Sequence, residues 1–500
     1  MIATASRFGR YIALAAALLG WMFDGLEMGL FPLVARPALQ ELLPGVNEAT
    51  IGQWYSVITA GFLVGAATGG VLFGWLGDKI GRVKAMTASV IVYAVCSGVC
   101  AGAQTPWQLA VLRFIGALGM GGEWALGVAL VMELWPSQGR GWLAGWIGAF
   151  GNFGYGIVGA VSYGLASAGN DLPDLLASIG IPSELAAALT ANGNWRLLML
   201  VGAIPALLTL FIQFFVPESE KWLREKAAGT ASRWSERDLI GLLVGAAAGA
   251  GIIYLWADND ISYPVRIAGT VVGLGIITVG YLQPMRGYLS RSSMSVVERR
   301  QIVRRMLLAA GISGVPLLAT WSGVMWQYNY VDALTKDPQT GKSLDDFARP
   351  KTMIASALGA ALGCVLAAVF GDRFGRRPVY AAMCLLSMGV MFGFFRFNTH
   401  FGWEFVASAA LLGCLSASFY GWIPLYLPEL FPTRVRATGQ GFGYNFGRVI
   451  AAIGTLQTAT LQKAFQGDYS KACSMIAGIY VVGLILIAFA PETKGKPLPE

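Results

Sequence analysis

Long apolar runs alternate with short polar interruptions along this chain. A helix needs about 20 mostly apolar residues to cross a lipid bilayer. By that measure the pattern predicts spans near 11–35, 51–76, 83–103, 107–133, 142–168 and 196–216. Six more are expected near 305–332, 353–371, 378–397, 403–428, 437–462 and 471–490. Between the two sets lie two further apolar runs, LIGLLVGAAAGAGIIYLW and IAGTVVGLGIITVGYLQPM. The expected fold is an all-α polytopic membrane protein of about 14 helices. Residues 1–222 would form one six-helix bundle and 305–500 a second. Residues 223–304 would link them and carry an extra transmembrane hairpin at about 239–285. The alternative for that pair is a hairpin lying in the membrane interface.

Basic residues sort the loops into two kinds. Arg7 and Arg10 precede the first run, Lys79, Arg82 and Lys84 follow the second, and Arg140 follows the fourth. Lys221, Arg224, Lys226, Arg233 and Arg237 follow the sixth, whereas 168–195 contains no Lys or Arg. Cytoplasmic loops carry the excess of Lys and Arg, so both termini are expected in the cytoplasm and the chain in the inner membrane. Another basic loop follows the extra pair, with Arg286, Arg291, Arg299, Arg300, Arg304 and Arg305. The hairpin must then cross twice to keep that parity. Neither of its apolar stretches carries a charge, which predicts a peripheral position.

Composition narrows the class further. Charged residues make up 13% and hydrophobic residues 55%, against about 25% charge in soluble chains. The net charge of +8 writes topology and gives no reason to expect nucleic acid. All six cysteines fall in apolar runs and there is one histidine, so neither a disulfide framework, a zinc site nor histidine catalysis is expected. No phosphate-binding G-x-x-x-x-G-K-[ST] loop occurs. An enzyme is disfavoured and no cofactor is expected.

The charged turns repeat. GWLGDKIGRVKA at Gly74–Ala85 returns as VFGDRFGRRPVY at Val369–Tyr380. MELWPSQGRGWLAG at Met132 returns as PELFPTRVRATGQG at Pro428, setting Glu133 over Glu429, Pro136 over Pro432 and Arg140 over Arg436. PESEKWL at Pro217 returns as PETKGK at Pro491, setting Glu218 over Glu492. Three motifs in the same order at one face of the membrane imply two homologous six-helix halves, a recognised transporter plan. Gly77, Gly81, Gly371 and Gly375 permit the tight turn. Asp78 and Asp372 can place negative charge near helix N-termini. Arg82 and Arg376 can bridge to Glu133 and Glu429, forming a cytoplasmic gate that ties the halves in one state and frees them in another.

These residues resemble the major facilitator superfamily across the chain apart from the central hairpin. GWLGDKIGR is similar to its signature loop, and PESEKWL and PETKG to the ends of sugar-porter halves. RFIGALGMGGEW, MELWP and the first-helix FDGLEMG are more similar to metabolite–proton symporters and to sialate or aromatic-acid carriers. The resemblance implies a proton-coupling acid at Asp24 with an arginine partner at Arg113.

Ionisable groups inside a membrane are expensive and mark function. Asp24 lies about 20 Å into the first helix, and Arg113 about 9 Å from the opposite start of the fourth. Glu27 is one turn beyond Asp24, so Arg113 could meet either acid. The reading for Asp24 and Arg113 is proton coupling or a structural pair. Glu27 is a proton carrier, a structural residue or a substrate contact, and Glu123 is a second relay or a paired neighbour. Arg448 lies about 17 Å along the eleventh helix, with Asn445 on its face. It suits an anionic substrate group or an acid on another helix. Gln53, Asn152, Tyr155, Trp326, Gln327, Asn329 and Tyr420 are cavity candidates, as are Tyr330 and Trp422, each weighed against plain packing.

The expected function is secondary transport of a small polar metabolite, as proton symport of an organic acid, sialate-like or aromatic. Sugar–proton symport is the alternative, followed by proton-driven efflux and by a transporter-like sensor. The expected partners are the lipid bilayer and a small-molecule substrate, the expected coupling ion is the proton, and the chain is expected to act as a monomer.

Overall fold

The structure is a computed structural model that describes residues 7–46, 48–135, 139–229, 234–258, 260–337, 344–345, 347–465 and 468–499. Pro136, Arg233 and the side chains of Arg7 and Arg10 lie outside the described residues. Helices account for nearly all the described chain, and no β-strand occurs in it. The first set comprises α1 (Arg7–Leu42), α2 (Glu48–Ile80), α3 (Arg82–Cys100), α4 (Pro106–Leu134) and α5 (Arg140–Ala168). A broken sixth segment follows as α6 (Ser183–Val201) and α7 (Ala206–Phe215). The backbone of α6 is itself non-helical at Ala191–Asn194.

The linking region folds into α8 (Leu239–Ala257) and α9 (Tyr263–Arg291). The second set begins with α10 (Val296–Ser322) and α11 (Gln327–Leu334), then α12 (Ala348–Phe374) and α13 (Arg376–Phe397). It continues with α14 (Trp403–Ser416), α15 (Phe419–Tyr426), α16 (Arg436–Ala464), α17 (Tyr469–Ile476) and α18 (Ile479–Ala488). Among the described residues, 11 helical segments are long and apolar enough to cross a membrane, and both hairpin helices are among them.

Local sequence explains several starts and stops. Thr105 caps α4 by accepting from the Gln108 N–H, with Pro106 at the first helical position, where a missing donor costs nothing. α10 starts nine residues before the expected 305, because Ser295 and Glu298 form a reciprocal capping box there. The signal, Ser-x-x-Glu, was present in the polar stretch before the apolar run.

The two sets meet along matched seams, α2 against α16 and α5 against α12. Small residues let these backbones approach: a Cβ added at Gly441 would stand 2.1 Å from the Gly70 carbonyl oxygen. The hairpin is less detached than its sequence predicts. It lies outside both sets of six yet packs on α2 and α16 together. The Tyr281 hydroxyl lies 2.6 Å from Thr68 Oγ1, the Tyr281 ring meets Phe446 at 6.4 Å, and Glu236 pairs with Lys79 at 3.0 Å. Apolar runs without charges still carry hydroxyls and rings that find partners.

Candidate functional site

The charged turns gather at one end of the bundle, and the first copy knits the two halves together there. Asp78 Oδ2 accepts from the Thr438 backbone N–H at 2.9 Å and its hydroxyl at 2.6 Å. A carboxylate from one half thus sits at the N-terminus of α16 in the other, where the helix dipole favours it. Arg82 donates to Asp78 at 2.6 Å, to the Gly77 carbonyl at 2.8 Å and to the Thr433 carbonyl at 3.1 Å, and reaches Glu133 at 3.4 Å. Arg436 reaches back to Glu133 at 2.9 Å. Arg82, Asp78, Glu133 and Arg436 expose no side-chain surface.

In the second copy, Arg376 grips Glu429 through Nε at 3.0 Å and Nη2 at 2.6 Å, and Asp372 at 3.2 Å. Those partners all belong to its own half. Arg140 donates to the Trp135 carbonyl at 3.0 Å.

Glu218 and Glu492 play one local role in both halves. Glu218 accepts from the N–H groups of Arg82 and Val83 at 3.0 and 3.1 Å, capping α3. Glu492 accepts from Arg376 and Arg377 at the same distances, capping α13. Burial pushes the Glu218 carboxyl above its ordinary range despite those donors. For Glu492 burial acts the same way, but the N–H groups of Arg376, Arg377, Lys494 and Thr493 outweigh it and hold the carboxyl low. Gly81 and Gly375 take φ of +116° and +105°, which a side chain would strain.

Between the halves lies a cavity of about 110 Å³. Asp24, Asn152, Tyr155, Gln327, Tyr420 and Arg448 border it. Arg448 is 3% exposed, and its Nε and Nη1 have no hydrogen-bond partner among the described residues. Its guanidinium stands 5.1 Å from the centre of the Tyr444 ring. Tyr420 bonds Thr320 at 2.8 Å, and Gln327 donates to Ser356 at 3.2 Å while its own Oε1 stays unpartnered.

The acid–arginine pairing differs from the one that the resemblance implied. Arg113 pairs with Glu27, not with Asp24, and lies against the rings of Phe31 and Phe62 at 5.2 and 4.6 Å. Asp24 instead faces Glu123, which also lies beside Tyr93. The antiparallel register of α1 and α4 explains the exchange. Trp21 meets Trp124 at 5.5 Å, so Glu123 is level with the Gly20–Asp24 turn, while Arg113, ten residues or nearly three turns earlier, is level with Phe31 and reaches back to Glu27.

Six of the candidates do not border it. Gln53 donates to the Ala257 carbonyl of the hairpin. Asn445 turns into the seam and donates to the Gly121 carbonyl at 3.0 Å. Trp326 is buried elsewhere, and Asn329 stands outside the lining. Tyr330 and Trp422 are likewise spent, on the carbonyls of Asn398 and Arg376. Sequence reasoning missed Trp21, Trp124, Tyr328 and Tyr444, all of which line the cavity. Tyr444 was findable as the residue one helical turn before Arg448.

A family model described as sugar (and other) transporter matches residues 13–241 and 282–500, so the stretch it passes over falls within the hairpin. A putative metabolite transport protein of Haemophilus influenzae is 27% identical over 496 residues, 97% of each chain. A probable 4-methylmuconolactone transporter of Cupriavidus pinatubonensis is 26% identical over 488 residues, 95% of this chain and 89% of its own. Among solved structures, the major facilitator proton:xylose symporter XylE of E. coli aligns with a TM-score of 0.67 at 19% identity, over 99% of this chain and 98% of that one.

Proposed function

This chain belongs to the family of sugar and other transporters, with the major facilitator fold, and from that premise we propose that it is a proton-coupled symporter of an organic acid. The observation that carries the reading is Arg448, buried at the cavity with two guanidinium nitrogens unpartnered. Asp24 lies within electrostatic reach of Arg448 but leaves those two nitrogens without an acceptor, and a substrate carboxylate would supply one through charge-assisted N–H···O bonds. Asp24 and Glu123 supply the proton site. Two carboxyls side by side in apolar surroundings repel when both are ionised, and one shared proton removes that repulsion. Arg113, held by Glu27, then serves to shape the outer part of the first bundle.

The basic turn end is the cytoplasmic end in this reading, and the inner membrane is the location. The ties across it close the path on that side. Sugar–proton symport remains the second reading, favoured by the PES and PET ends and by the amide and hydroxyl groups of Asn152, Gln327 and Tyr420 at the cavity.

A ligand that binds the fold raises its melting temperature, so a thermal-shift panel of aromatic acids, sialic acids, dicarboxylates and hexoses separates the two. An acid should stabilise the parent, Arg448→Lys should weaken the effect, and Arg448→Gln should remove it. Stabilisation by a hexose alone, unchanged in Arg448→Gln, would contradict the organic-acid reading.

A further inference from the structure

The floor of the cavity is an aromatic contact between the two halves. Trp124 of α4 and Tyr444 of α16 stack with centroids 3.8 Å apart and planes 11° from parallel. Both line the cavity, and both are nearly buried, at 3% and 5% exposure. Along α16, Tyr444 lies about 12 Å from Arg436 at the turn end and Arg448 about 18 Å. The stack therefore stands between the anion-binding arginine and the turn end. Beneath it the seam is closed by backbone contact, Gly441 on Gly70, and then by the Asp78–Thr438 tie.

Arg448 touches this floor from above, with its guanidinium over the Tyr444 ring. We propose that the Trp124–Tyr444 stack is the inner barrier of the transport path, and that Arg448 links its opening to capture of a carboxylate. The cation holds the ring face until a carboxylate competes for it. A carboxylate offers the guanidinium two charge-assisted hydrogen bonds, draws it off the ring and leaves the stack weaker. The same event that binds the substrate then loosens the contact that must part for its release. The second clause rests on the organic-acid reading; the barrier itself does not.

Spin labels at Lys84→Cys and Arg373→Cys, exposed residues of opposite halves at the turn end, read the separation of the halves, with the native cysteines replaced. Without ligand, Trp124→Leu and Tyr444→Leu should raise the population of long distances about threefold to tenfold, the worth of an aromatic pair. Tyr444→Phe, which keeps the ring, should restore the parent distribution. Parent distances in both leucine variants would overturn the barrier. Benzoate tests the link: it should lengthen distances in the parent and, while still raising the melting temperature of Tyr444→Leu, no longer lengthen them there. Equal lengthening in the parent and Tyr444→Leu would overturn the link. If benzoate neither binds nor moves the parent, the link falls with the acid reading, and the ligand-free arm still decides the barrier.

Discussion

Arg82 and Arg376 begin equivalent helices, each after a glycine of positive φ, and each donates to the carbonyl five residues back. Their surroundings then diverge. Arg82 and its neighbours Asp78 and Glu133 are wholly buried and bond Thr433, Thr438 and Arg436 of the other half. Arg376 spends its donors inside its own half, and the Asp372 side chain stays 48% exposed. One motif has become a latch and the other a brace. The asymmetry continues inward, where Asp24, Glu27, Glu123 and Arg113 all belong to the first half and Arg448 to the second. A symmetric scaffold thus holds unlike chemistry in its two halves.

The largest expected effect follows from burial. Removing one partner of a buried ion pair costs about 3–5 kcal/mol, whereas an exposed pair is worth about 0–1. Asp78→Asn should therefore shift the open-to-closed ratio at the turn end by roughly a hundredfold to a few thousandfold, read by the distance between labels at positions 84 and 373. Asp372→Asn should shift it less than about fivefold. Equal shifts would break the distinction between latch and brace.

A double-mutant cycle sharpens it. Glu133→Gln with Arg436→Gln should show a coupling of about 1–3 kcal/mol on that same ratio, because the pair joins the halves. Glu429→Gln with Arg376→Gln should show coupling of similar size in thermal unfolding and almost none in the ratio. Coupling of the second pair in the open-to-closed ratio would make it a latch as well.

Much of this layout was legible in the chain because lipid leaves few choices. Backbone groups in hydrocarbon must bond within helices, so apolar length fixed the spans. Charge can sit cheaply only at their ends, which exposed the repeated turns and made Arg448 conspicuous. What stayed hidden was partnership. Asp24 and Glu27 are one turn apart on one face, and only the register of α1 against α4 decides which of them meets Arg113. Gln53 looked free because nothing in the sequence says where the hairpin docks. Tyr444 and Trp124 were passed over because most membrane aromatics only pack.

The smallest expected effect compares the two capping glutamates. Glu492 is held low, so its ionised form supports the fold; that support exists above the ordinary carboxylate range, near pH 4.3, and is lost as pH falls through its lowered value. Glu492→Gln should cost under about 1 kcal/mol at pH 7, and the deficit should vanish toward low pH. Glu218 is pushed up, so its support is present below the ordinary range and fades as pH rises through the raised value. Glu218→Gln should therefore gain on the parent as pH rises. Unfolding curves at several pH values report both, and parallel trends for the two variants would mean that the caps do not differ.

The division of labour between the halves is tested most directly at Asp24. A pH gradient supplies about 1.4 kcal/mol per unit to a coupled proton, and the potential about 2.3 kcal/mol per 100 mV per charge. For a monoanion carried with one proton the potential cancels and the pH gradient alone drives uptake. Asp24→Asn mimics the protonated carboxyl, so it should bind and exchange the substrate but not concentrate it. The measurement is counterflow beside pH-driven uptake in proteoliposomes, using the acid that best stabilises the parent. Counterflow within a few-fold of the parent, with pH-driven accumulation abolished, is the predicted result. Full pH-driven accumulation by Asp24→Asn would contradict the account and move the proton away from Asp24, with Glu27 or Glu123 next in line.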